Sequence, residues 1–141
     1  MRAACLLPLA LAPLLGGTAH ATGPADPPPI VANQNRVAAG TLKQGILTVR
    51  LEVREGFWRP QSASGGGVVV QAFAEVGTPL QLPGPMLRVR SGTVVEVSLH
   101  NTLGVPLTVH GLHPRPGSPS DTVQVTAGAT RSVRFNAGQP G

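Results

Sequence analysis

From Ile46 the chain reads "ILTVRLEV". On an extended backbone this places Leu47, Val49, Leu51 and Val53 on one face and Thr48, Arg50 and Glu52 on the other. Successive side chains of a strand point to opposite faces, so a period of two marks a strand buried on one side only. The period returns in Leu87 and Val89 against Arg88 and Arg90, and in Val95, Val97 and Leu99 against Glu96, Ser98 and His100. "VVVQAFAEV" (68–76) is a further strand of more continuous apolar character, and "GFWRPQSASGGG" before it reads as a turn and flexible loop. "PLTVHGL", "DTVQVTAG" and "TRSVRFNAG" complete the series. The 18 glycines and 15 prolines fall largely between these runs, as in Pro83-Gly84-Pro85 and Ser91-Gly92. No long window beyond the first residues has helical periodicity. Strands about ten residues apart with Gly/Pro turns predict an all-β antiparallel sandwich or barrel.

The two ends of the chain read differently. Residues 1–21, "MRAACLLPLALAPLLGGTAHA", carry Arg2, then an apolar run from Cys5 to Leu15, then Ala19-His20-Ala21. This is the layout of a signal peptide cleaved after Ala21, which predicts a secreted or periplasmic protein. The apolar run falls short of the roughly 20 residues that span a bilayer, so no stable membrane insertion is expected. Cys5, the sole cysteine, lies inside the leader. The mature chain then has no thiol for a disulfide or a thiolate site. Residues 22–40, with three consecutive prolines and almost nothing to bury, read as a linker or extended N-terminal arm. Residues 41–141 read as the domain.

Charge narrows the function classes. Of 11 Lys and Arg residues Arg2 leaves with the leader, and the remaining ten face six Asp and Glu. The cations are scattered through the strands, and Phe57, Trp58, Phe73 and Phe135 supply the only rings. Nucleic-acid grooves need clustered cations beside stacking platforms, so no nucleic-acid partner is expected. Glu52, Glu96 and Asp121 are isolated in sequence and show no paired-carboxylate pattern for acid–base hydrolysis. Trp58 reads as a packing anchor. Arg88 and Arg90 share a face and are expected to pair with acidic neighbours across the sheet.

His110 and His113, in "LTVHGLHPRPG", are the residues that raise a metal question. Two imidazoles on one strand converge when spaced H-x-H; these are H-x-x-H, and His113 precedes Pro114, where the chain leaves the sheet. By geometry alone they are polar residues at a strand end, solvated or bonded to backbone. His100 lies on the polar face of its strand beside Glu96 and Ser98, and His20 leaves with the leader.

The order "LPGPMLRVRSGTVVEVSLHNTLGVPLTVHGL" followed by "DTVQVTAGATRSVRFNAGQPG" resembles the N-terminal, plastocyanin-like (cupredoxin) domain of the laccase-like multicopper oxidases. There a G-P-x-(I/L)-R-V-x-x-G-(D/T)-x-V-x-V-x-(V/L)-x-N run leads into a strand with H-W-H-G, and a P-G-x-(S/T)-x-x-x-x-F-x-A segment follows. Gly84 to Asn101 matches the first run and Ala127 to Gly141 the last, with Thr93 for aspartate and Ala127 for proline. The resemblance implies a cupredoxin-like Greek-key β-sandwich, incomplete at its C-terminus. It also implies copper as cofactor of the full-length protein. Aligned on H-G-L, His110 is the metal ligand at the type 3 copper position, and Thr108 stands where the type 2 ligand is expected. A hydroxyl is a poor copper ligand beside imidazole, and His113 has no family role.

The family continues through an H-x-H strand and further cupredoxin domains to an H-C-H segment. The chain therefore reads as a fragment, missing its last strand or strands, that is not expected to be active alone. The full-length parent is expected to be an oxidoreductase that oxidises a small-molecule or metal-ion electron donor one electron at a time and reduces dioxygen to water. Downstream cupredoxin domains are its expected partners. A degenerate cupredoxin used as a structural or binding module is the alternative, with a copper-free adhesion-like sandwich behind it.

Overall fold

Burial follows the period of two. In the computed structural model, which describes residues 26–114 and 121–139, Leu47, Val49, Leu51 and Val53 are buried while Thr48 and Arg50 face solvent. All the regular structure among the described residues is β. The strands are β1 (Val31–Ala32), β2 (Thr41–Lys43), β3 (Ile46–Trp58), β4 (Val68–Glu75), β5 (Gln81–Leu82), β6 (Val94–Asn101), β7 (Leu107–His110), β8 (Thr122–Val125) and β9 (Thr130–Asn136). Seven form one mixed sheet in the order β1-β5-β4-β3-β6-β9, with β2 paired to β3; β7 and β8 form a separate antiparallel ribbon. The large sheet does not close into a barrel, and the fold is an open, cupredoxin-like sandwich.

The long strand β3 is shared along its length. Ile46–Arg50 pairs in parallel with Val94–Ser98 of β6, and Leu51–Trp58 pairs antiparallel with β4. One core cluster gathers the inward residues of the first half and of β6, including Leu47, Val49, Val95, Val97 and Leu99. The ribbon covers this cluster with Leu107, Val109, Val123 and the buried Val125. A second cluster of Ile30, Ala72, Ala74 and Leu80 lies at the β4 end, with Trp58 packed against it. Ala72 and Ala74 point into this second cluster while Phe73 packs against the first. The second half of β4 is thus covered on both faces, while Val68 and Val69 at its start are exposed.

Three local expectations change. The segment around Leu87 and Val89 is not a strand: it makes one isolated bridge, Ala38 to Met86, and the Ala39 N–H donates to the Met86 carbonyl at 2.9 Å. Val89 packs on the first cluster while Leu87, in the same phase, is exposed, so the alternation here marks neither a hydrogen-bonded ladder nor a fully buried face. Arg88 and Arg90 then lie outside any ladder, whereas Arg54 pairs with Glu52 and Arg134 with Glu96.

Second, β3 runs on through Gly56 to Trp58, where the sequence read a turn. A Cβ at Gly56 would stand 2.6 Å from both Ile30 Cγ1 and Leu80 Cδ1. The glycine is there for close packing inside a strand.

Third, the described part of the arm has something to bury. Ile30 is 7% exposed, its N–H donates to the Phe57 carbonyl at 3.0 Å, and β1 pairs in parallel with β5. The leader (1–21) and residues 115–120 lie outside the described residues.

Candidate metal centre

The ribbon that carries His110 is fixed at its base by one side chain. Asn101, the last residue of β6, is fully buried. Its Nδ2 donates to the carbonyls of Val105 (2.8 Å), Val125 (3.1 Å) and Thr126 (3.2 Å), and its Oδ1 accepts the Leu103 N–H at 3.0 Å. An amide has two donor hydrogens and an acceptor, and here both kinds of atom are occupied. The bonds tie the end of β6 to the turn before β7 and to the end of β8. They set the height and tilt of the ribbon over the large sheet.

From that base β7 rises with period two. Leu107 and Val109 face the core; Thr108 and His110 face outward and are exposed. Across the ribbon Thr108 pairs with Gln124 and His110 with Thr122, both exposed. The outward face therefore presents one imidazole among two threonine hydroxyls and a glutamine amide. Gly111 then turns the chain out of the strand with φ +91°, a conformation that side-chain-bearing residues avoid.

Asp121 faces Gly111 across the end of this ladder. It is 2% exposed, and its Oδ2 accepts the Gly111 N–H at 2.8 Å. Sequence reading treated Asp121 as an isolated carboxylate. A cue was present in the glycine that follows the histidine and in the start of the next strand at Thr122, but the match of Gly111 to Asp121 depends on the register of a ribbon.

The remaining histidines lie apart. His113, exposed and beyond the Gly111 turn, lines an open cleft with Leu87, Val89, Phe135 and Ala137. His100 sits on β6 in the large sheet, where its Nδ1 lies 3.1 Å from Thr130 Oγ1. Among the described residues no group of three or more His, Cys, Asp or Glu side chains gathers to hold a metal ion. The described donor set, a single outward imidazole beside a threonine, does not by itself fit a copper ion, which takes several nitrogen or sulfur ligands. Among the described residues no helix is long and apolar enough to cross a membrane.

The family model described as multicopper oxidase matches residues 71–141, half of the chain. A multicopper oxidase from Campylobacter jejuni, described as a metallo-oxidase, is a similar solved structure at 22% identity and TM-score 0.47, over 82% of this chain and 22% of that one. A laccase from Pediococcus acidilactici is similar at 15% identity and TM-score 0.48, over 82% and 25%. A bacterial laccase-like multicopper oxidase from Ochrobactrum sp. is similar at 19% identity and TM-score 0.41, over 83% and 23%. The chain spans about a quarter of the length of these structures. No curated protein matches it. With its second half matched to the family model, from β4 through the His110 ribbon to the end of β9, the chain belongs to the multicopper oxidase family.

Proposed function

We propose that the chain is the N-terminal cupredoxin domain of an exported, copper-dependent oxidase. The whole protein takes single electrons from a small donor, a phenol or a metal ion, and delivers four of them with four protons to dioxygen, giving water. His110 supplies one imidazole to a copper whose other ligands come from further cupredoxin domains. The observation that carries this reading is the match to the family over residues 71–141 together with the outward, exposed position of His110 on β7. An imidazole aimed away from its own core is available to a neighbouring domain.

The test is metal analysis and oxygen uptake of the full-length gene product recovered from the periplasm or medium. Copper should be bound at several ions per chain, oxygen should be consumed with a phenol or a reduced metal ion as donor, and His110→Ala should lower both. A second reading has a specific observation behind it. Thr108 shares the outward face with His110 where the family has a second imidazole, as in a cupredoxin retained as a structural or binding module. A copper-free full-length protein would establish that module and end the oxidase reading.

A further inference from the structure

We propose that Asp121 is a positioning residue for His110. The inference rests on the reading of His110 as a metal ligand and deepens it.

The register of the ribbon pairs His110 with Thr122, so the next pair outward is Gly111 with Asp121. Beyond His110 the backbone ladder stops, because Gly111 turns at φ +91°. Its N–H would lose its partner at that point. The Asp121 carboxylate takes the place of the missing backbone acceptor, with Oδ2 2.8 Å from the Gly111 nitrogen. A carboxylate accepts such a bond more strongly than a neutral oxygen does. Asp121 is itself 2% exposed, which shields the accepting side of the bond, while Gly111 on the donating side is exposed.

The carboxylate thus clamps the peptide that directly follows the His110 Cα. A side chain at the last position of a strand is otherwise free to swing as the strand frays. A single imidazole offered to a metal shared between domains must arrive within a fraction of an ångström of the right place. No crowding by the described residues requires Gly111 at this position, since none of their atoms lies within 4 Å of where its Cβ would stand. Its positive φ ties the residue to the clamp.

The experiment compares D121A, D121L, D121N and H110A in the full-length protein. Asparagine keeps an acceptor for the Gly111 N–H; leucine fills the volume of the carboxylate without one. Readouts are copper per chain, the melting temperature of the copper-stripped protein and the hydrogen-exchange rate of the Gly111 amide. D121A or D121L should speed Gly111 exchange by about tenfold, the equivalent of one lost hydrogen bond, and should lose copper as H110A does. D121N should restore both properties.

If H110A loses copper while folded D121A and D121L keep it, the positioning role is overturned and the ligand reading stands. If H110A keeps all its copper, the ligand reading fails and takes this proposal with it. If neither D121A nor D121L folds while D121N does, Asp121 is a residue of the fold alone, and the positioning role is again overturned.

Discussion

Two residues carry more of this molecule than their size suggests. Asn101 satisfies three carbonyls and one N–H across the seam between the large sheet and the ribbon. Replacing it with alanine strands at least the buried Val125 carbonyl and Leu103 N–H away from water, and each unsatisfied buried group costs about 1–3 kcal/mol. N101A should therefore lose roughly 3 kcal/mol or more of stability, read from the midpoint of urea unfolding. N101D should do no better, since a carboxylate turns acceptor oxygens toward carbonyls that need a donor. Gly56 is the second. Its missing Cβ is the space that Ile30 and Leu80 occupy, and overpacking a fitted core costs about 1–3 kcal/mol. G56A should show that loss in the same measurement. By contrast the Arg134–Glu96 pair is largely exposed, and E96A should shift stability by no more than about 0.5 kcal/mol.

At the scale of elements, the outward face of β7 makes a prediction about metals. Thr108 and His110 are two apart on one strand and point the same way. T108H would create the H-x-H spacing that the native chain lacks. It should bind Cu(II) at least ~10-fold more tightly than the native chain, as two imidazoles outdo one, and titration calorimetry of both proteins would measure the difference.

How much of this was legible in the sequence differs from strand to strand. The alternations of β3 and β6 were readable because one-sided burial leaves a period of two, and β4 was readable from its run of β-branched and apolar residues. Strands β1, β2 and β5 were not readable, since two or three residues are too few to show a period. The Leu87–Arg90 segment gave a period without a strand, because Val89 can pack on a core without a ladder beside it. His110 stood out only through the motifs that surround it, as its own spacing from His113 argued against a shared metal. Asp121 and Asn101 were silent, since their roles depend on which backbone groups the fold brings to them through space.

The described residues of the molecule form two core clusters rather than one. The cluster under the ribbon joins β3, β6 and β8, while the cluster of Ile30, Ala72, Ala74 and Leu80 joins the arm to β4. Removing Ile30 should therefore injure one end of the molecule first. I30A should cost roughly 2–5 kcal/mol, and native-state hydrogen exchange should show it as faster exchange in β1, β4 and β5, with β6 and β9 little changed. Uniform loss of protection would mean that the two clusters act as a single cooperative unit.

The parallel pairing of β3 with β6 joins residues some 48 positions apart, Ile46 with Val94 and Arg50 with Ser98. No hairpin can bring such partners together, and the loop that separates them must lose its freedom before the pairing returns any energy. This places the molecule among slow folders, refolding over about milliseconds to seconds. During that interval the first half of β3, with Leu47 and Val49 on its inward face, waits without its β6 partner. Yield on expression should depend more on how long β3 stays open than on the stability of the finished fold.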